Sequence, residues 1–261
     1  MKKEKLSLSV SIITHNEENN IERCLKSIIN IASEIIIVDL GSTDRTLEIA
    51  ESFGVKVFVE KWQGYIIQKN LALKKCTKSW ILCLEAAEEL SQELKTSIKK
   101  AIKEDNKDGY YINRRSFYLG KLLKFSWQPN YMLRLVRRQS NPCWGDYEPH
   151  EKLFVVGITG TLKGDLIHYS YKNIDDHIKG LTKYAYLIAQ SYAERGKISH
   201  LYNFIINPAF AFFKNYIIRA GFLDGFRGFL VAILSSFCVF LKYSYLWEII
   251  KDKEGKNEDC I

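Results

Sequence analysis

Over the first 112 residues, short β-like apolar runs alternate with runs at helical spacing. Leu8-Ser9-Val10-Ser11-Ile12-Ile13 alternates and then turns continuously apolar, as a buried strand does. The polar cluster Thr14 to Asn19 follows. Asn16 or Asn19 is placed to cap a helix carrying Ile21, Cys24, Leu25, Ile28 and Ile29. Ile35 to Val38 is a β-branched run and predicts a second buried strand. A helix over Arg45 to Phe53, a strand over Val55 to Val59 and a helix from Gln68 through Cys76 come next. Trp80 to Leu84 predicts a fourth strand, Ser91 to Ile102 a helix with Leu94, Ile98 and Ile102 on one face, and Gly109 opens another strand. This alternation predicts an α/β fold with a mostly parallel sheet flanked by helices.

The pattern changes after residue 113. Short β-like pieces (Tyr131 to Val136, Leu153 to Val156, Leu166 to Tyr169) alternate with basic and aromatic loops. Arg114-Arg115, Arg134 and Arg137-Arg138 read either as a rim facing phosphate or lipid, or as a solvated face. Asp175 to Glu194 predicts a helix. Beyond it the chain becomes aromatic and apolar, and Gly228 to Leu241 is fourteen residues without charge between Arg227 and Lys242. A membrane-spanning helix needs about 20 apolar residues. The stretch therefore predicts amphipathic helices on an anionic membrane surface, with Lys and Arg at their edges. A homodimer interface is the alternative. The expected division is a catalytic α/β domain over 1–200, an apolar and basic helical region over 201–250, and a polar tail over 251–261.

Composition narrows the function classes. The chain has 261 residues, 47% hydrophobic and 26% charged, enough for one large domain or a domain with an appendage. A net charge of +8 suits nucleic acid, anionic lipid or phosphorylated substrates. No helix-turn-helix, RNA-recognition or finger pattern accompanies it, so nucleic acid is not an expected partner. The six cysteines form no CxxC pair and read as core thiols. Met1-Lys2-Lys3-Glu4-Lys5 leads into a strand rather than a signal segment, so a cytoplasmic location is expected.

The candidate chemistry lies at strand ends, where open α/β sheets bind ligands. Asp39 ends the second strand and can accept from a base or ribose, and Gly41 lets backbone approach a ligand closely. Asp44 belongs to the same loop, although it also suits a plain helix cap. Glu85 to Glu89 follow the fourth strand, and Asp146-Tyr147-Glu148-Pro149-His150-Glu151 is a third polar cluster. Three such groups suit transfer from a nucleotide-activated donor. One binds base and ribose, a second holds a divalent cation, and a third takes a proton from an acceptor hydroxyl. Cation and base must be separate groups, because a metal-neutralised carboxylate is a poor base.

Ser11-Ile12-Ile13-Thr14-His15-Asn16-Glu17, Ile37-Val38-Asp39-Leu40-Gly41-Ser42-Thr43-Asp44 and Gln68-Lys69-Asn70 resemble the nucleotide-binding signatures of family 2 glycosyltransferases, inverting enzymes of the GT-A fold. Trp62-Gln63-Gly64-Tyr65, Pro149-His150-Glu151 and Gly221-Phe222-Leu223-Asp224-Gly225 further resemble the subgroup of lipopolysaccharide core β-1,4-glucosyltransferases. The resemblance implies a UDP-sugar donor, Mg²⁺ or Mn²⁺, and a lipopolysaccharide-core or lipid-linked acceptor. It also implies a peripheral place on the inner face of the cytoplasmic membrane. It puts the loop of Thr14, His15, Asn16 and Glu17, together with Asp39, on the uridine, and Asp44 and Lys69 near the ribose and diphosphate. Gly41, Ser42, Gln68, Glu85, Ala87 and Arg134 are further substrate-binding candidates, and Glu151 is the candidate catalytic base.

The resemblance breaks at the metal motif. Where the family has Asp-x-Asp, this chain has Leu84-Glu85-Ala86-Ala87-Glu88, and the Ala87 methyl cannot coordinate a cation. Leu40 and Arg45 are milder departures. Either the chain is a low-activity form, or Glu85 is joined as metal ligand by Glu88 or His168. Two alternatives stay open: a catalytically silent nucleotide-sugar-binding protein, and a transferase using a polyprenyl-phosphate or protein acceptor.

Overall fold

A computed structural model describes residues 6–146 and 151–258. The apolar runs become β1 (Leu6–Thr14), β2 (Ala32–Asp39), β3 (Lys56–Val59) and β4 (Trp80–Glu85). Helices α1 (Ile21–Ile28), α2 (Thr46–Ser52) and α3 (Tyr65–Lys74) connect them. β1 pairs in parallel with both β2 and β4, and β2 with β3. Val10, Ile12, Ile36, Ile37 and Leu82 are fully buried there, and the alternating Ser9 and Ser11 of β1 are buried with them, so both faces of these strands are covered. The cap of α1 differs from expectation. Asn20 stands at the cap position with no side-chain cap bond, because Asn16 is turned to φ 54° and its side chain bonds elsewhere.

After β4 the chain turns at Ala86-Ala87 into β5 (Glu88–Leu90), a strand hidden from sequence inspection inside an acidic cluster. Ser91 then caps α4 (Gln92–Glu104) by accepting from Leu94 N–H. β6 (Gly109–Tyr118), β7 (Lys121–Leu122), β8 (Tyr131–Arg137), β9 (Cys143–Gly145), β10 (Lys152–Phe154) and β11 (Thr159–Tyr171) complete the strands. The main sheet is mixed, in the order β3-β2-β1-β4-β8-β6-β11-β5, with β7 on β6. β8 is antiparallel to both β4 and β6, and β5 is antiparallel to β11. The parallel part is thus confined to the first four strands. The link between β6 and β8 carries β7, which pairs back on β6, rather than a helix, so the chain returns antiparallel. β9 and β10 form a separate antiparallel pair.

The described residues divide into two compact units. One holds residues up to 115, 129–146 and 151–169, and the other 116–128 and 170–258. The second unit contains α5 (Ile174–Glu194), α6 (Leu201–Phe213) and α7 (Phe226–Glu258). Its boundary at 170 differs from the expected 201, because α5 packs on α7 and so joins the helical unit. Gly221 to Gly225 acts as a clamp inside this unit. Asp224 accepts from the backbone N–H of Lys124 at 2.9 Å, Phe125 at 3.0 Å and Ser126 at 2.7 Å. A Cβ on Gly228 would lie 1.8 Å from the Gly221 carbonyl oxygen, so glycine is required for that approach.

Two features of α7 depart from the sequence reading. The helix carries Lys242 within it and continues through the expected polar tail to Glu258. It is the one helix among the described residues long and apolar enough to cross a membrane. A large apolar face is exposed in this unit, with Leu201 79% and Phe226 72% accessible.

Candidate active site

The loops that follow β1 and β2 are knitted together around Asp39, which is fully buried. Its Oδ1 accepts from the N–H groups of Gly41 at 2.9 Å and Ser42 at 2.7 Å. Its Oδ2 accepts from the hydroxyls of Thr14 at 2.7 Å and Ser42 at 2.6 Å. A carboxylate has about four lone-pair sites, and all are used by the protein. Asp39 therefore shapes the pocket loop, which corrects the expectation of a carboxylate presented directly to the nucleoside. Gly41 sits at φ +81° with open space where a Cβ would be, so its conformation, rather than a close approach, calls for glycine.

The two loops are also tied to each other. Asn16 N–H donates to Ser42 Oγ at 2.8 Å, and Asn16 Oδ1 accepts from Thr43 N–H at 2.8 Å. Glu17 N–H donates to Thr46 Oγ1 at 2.7 Å. Asp44 accepts from Glu18 N–H at 3.1 Å and from Thr46 N–H at 3.0 Å. Asp44 is thus spent on capping α2 and holding the first loop, the plain alternative read from sequence. His15, Asn16 and Gly41 are exposed along this double loop.

The second part of the site is an ion-pair cluster of Glu85 at the end of β4, Glu88 at the start of β5, Arg114 and Arg134 within β6 and β8, and Lys69 on α3. Arg114 bridges the two acidic residues, with Nη2 2.8 Å from Glu85 Oε2 and Nε 2.7 Å from Glu88 Oε1. Arg134 Nη2 lies 3.4 Å from Glu85 Oε1 and 3.3 Å from Glu88 Oε1. The remaining oxygen of Glu88 accepts from Glu85 N–H at 2.8 Å. Lys69 Nζ is 2.6 Å from Glu151 Oε1 and 3.6 Å from Glu85 Oε1, and sits over the Trp144 ring. Burial opposes ionisation of Glu85, but Arg114, then Lys69 and Arg134, hold its carboxyl well below the usual range. Burial also pushes His168 well below the ordinary imidazole range; Arg114 pushes the same way, Glu85 opposes, and Arg134 adds to the lowering.

The residues present do not fit a divalent cation. Glu85 and Glu88, expected as ligands, already accept from guanidinium groups, so binding a cation would break those pairs. His168 faces Glu88 across the β5–β11 ladder, beside the same guanidinium groups. Ala87, in the turn, adds only a methyl. Among the described residues, no group of three or more His, Cys, Asp or Glu could hold a metal.

The structure joins Glu85, Glu88, Lys69 and Glu151, which were expected from the sequence in separate roles. Gln68 is fully buried one residue before Lys69, with its amide donating to Lys61 O and its Oε1 without a partner among the described residues. Arg134 is 1% exposed and held by carboxylates, which corrects both its assignment to substrate and the solvated reading. A charged residue inside the buried run Met132-Leu133-Arg134-Leu135-Val136 was the available signal, since such residues are buried only when paired. Arg114 and Trp144 were missed as site residues. Arg114 shares a strand face with buried Ile112, two positions earlier. Nothing local marks Trp144; Asn70 fixes it by exchanging two 2.9 Å bonds with its backbone. Of the third cluster, Asp146 pairs with Lys152 at 3.0 Å, while Tyr147, Glu148, Pro149 and His150 lie outside the described residues.

A parallel β-α-β opening with polar loops at its strand ends, continued by antiparallel strands, is the GT-A arrangement of glycosyltransferases. Residues 9–155 match the glycosyl transferase family 2 model, and the chain belongs to that family. It is a hexosyltransferase by that membership. The chain is 33% identical over 254 residues to glycosyltransferase RT0209 of Rickettsia typhi, covering 93% of this chain and 87% of that one. It is 29% identical over 267 residues to the lipopolysaccharide core biosynthesis glycosyltransferase LpsC of Rhizobium meliloti, covering 98% and 97%. In fold it is similar to the mannosyltransferase PcManGT from Pyrobaculum calidifontis, solved with GDP-Man and Mn²⁺. That match has a TM-score of 0.54 and 13% identity, and covers 95% of this chain and 89% of that one.

Proposed function

We propose that this chain transfers a hexose, glucose first among the candidates, from a UDP-sugar to a lipopolysaccharide-core or other lipid-linked acceptor. It works with inversion, peripherally at the inner face of the cytoplasmic membrane. The relationship to LpsC over nearly the whole of both chains supports the acceptor class. The observation that carries the reaction is Glu151. Its side chain is 10% exposed, one oxygen is held by Lys69, and the other is buried without a hydrogen-bond partner among the described residues. We assign that second oxygen to accept the proton of an acceptor hydroxyl. As the acceptor oxygen bonds to the sugar C1, the C1–O bond to the diphosphate breaks and its electron pair leaves with UDP. Asp39 organises the loops that receive the uridine.

Ala87 favours a second reading, nucleotide-sugar binding without turnover. Calorimetry with UDP, UDP-glucose and GDP, paired with a transfer assay, separates the two. Binding of UDP in preference to GDP, together with transfer, is the expected result; binding without transfer supports the silent protein. Asp39→Asn replaces an acceptor oxygen with a donor amid four donors, so the loops should reorganise. UDP affinity is expected to fall about 10- to 100-fold, equal to about 1–3 kcal/mol. Unchanged affinity in this variant would remove Asp39 from the nucleotide site.

A further inference from the structure

A dication at a diphosphate needs oxygen donors turned toward one point and an excess of negative charge around them. The β4–β5 corner meets neither condition. Glu85, Glu88 and Glu151 stand against Lys69, Arg114 and Arg134, so carboxylates and cations balance before any ligand arrives. Replacing the family's second Asp by Ala87 has removed one negative charge from this place. Lys69 and Arg114 are the cations whose side chains reach solvent, 9% and 18% exposed, whereas Arg134 is closed off at 1%.

We propose that Lys69 and Arg114 supply the positive charge that the resemblance assigns to Mg²⁺ or Mn²⁺, so that donor binding and transfer by this chain are independent of divalent metal. This rests on the reading of the site as a UDP-sugar site. Guanidinium and ammonium groups donate charge-assisted hydrogen bonds to phosphate oxygens. Glu85 and Glu88 become positioning residues that hold Arg114 beside the β4–β5 corner. Trp144 and Glu151 do the same for Lys69. The electron pair of the breaking C1–O bond stays on the diphosphate oxygen beside these cations, and the acceptor proton passes to Glu151. No dication enters that balance.

The test titrates UDP into the full-length protein in excess EDTA and again in excess Mn²⁺, and measures transfer under both conditions. Dissociation constants and rates agreeing within about threefold are expected, far below the effect of losing a metal that stabilises the leaving group. Electron paramagnetic resonance of Mn²⁺ with the protein alone should show the ion free in solution. Lys69→Met and Arg114→Met should each weaken UDP at least about tenfold in EDTA, with partial recovery in Arg114→Lys. If either Met variant fails to fold, the EDTA and Mn²⁺ comparison on the unmodified chain still decides. UDP binding or transfer that requires Mn²⁺ overturns the proposal and leaves the nucleotide site standing. UDP binding under neither condition removes the nucleotide-site reading and the proposal with it.

Discussion

Glu151→Gln is expected to lower the transfer rate by about 10²–10⁴-fold, the range for loss of a general base. UDP affinity should stay within about threefold, because the nucleotide loops are built on Asp39 and do not include Glu151. The amide keeps the shape of the side chain and can keep an oxygen on Lys69, now 2.6 Å from the carboxylate. It cannot take up a proton. The loss should therefore appear in kcat and in kcat/KM alike, as for an interaction made only in the transition state. Normal turnover in this variant on a confirmed acceptor would move the base elsewhere. Asp146 and Glu148 are next in sequence, and Asp146 already pairs with Lys152.

Phe222→Ser/Phe226→Ser is expected to lower partitioning onto anionic vesicles by at least about 100-fold. Phe222 lies within the Gly221–Asp224 turn and Phe226 opens α7, and both side chains are exposed. Leu201, Ile205, Phe210 and Ile218 of the same unit are exposed as well, as are Lys214 and Arg219. Burying a Phe is worth about 1.5–3 kcal/mol, so two give about 3–6 kcal/mol, more than the 2.8 or so that a 100-fold change requires. The basic residues add about 1 kcal/mol each near an anionic surface, a part that salt screens. Vesicle flotation of the unmodified protein should thus weaken with salt, and the double variant should lose most of the remainder. A chain that ignores anionic vesicles and sediments as a stable dimer would assign this face to a second copy instead.

The parallel core was legible because β1, β2 and β4 each carry an apolar run and are buried on both faces, with Ser9 and Ser11 buried among them. The antiparallel continuation was not. Gly160, Lys163 and Gly164 interrupt the apolar pattern of β11, and a Cβ on Gly164 would meet the α4 backbone at 2.3 Å. That glycine reports a close packing contact, yet in sequence it reads as a loop. At the site, strand-end position singled out Asp39, Glu85 and Glu88, and the resemblance singled out Glu151. What Glu88 and Glu151 do depends on partners 26 and 82 residues away in the chain, Arg114 and Lys69. A motif gives the location of a carboxylate, and long-range pairing decides whether it offers lone pairs to a metal or holds a cation in place. Ala87 was the one local sign that this corner departs from a metal site.

A single carboxylate acting as base on an acceptor hydroxyl requires direct displacement at the sugar C1. The anomeric configuration of the product tests this directly. Transfer from UDP-glucose, whose glucose is α-linked, to a lipopolysaccharide-core acceptor should be followed by proton NMR of the isolated product. A β-linked glucose, formed by the unmodified chain and lost in Glu151→Gln, is the expected result. An α-linked product would contradict the assignment of Glu151 and the inverting reaction built on it.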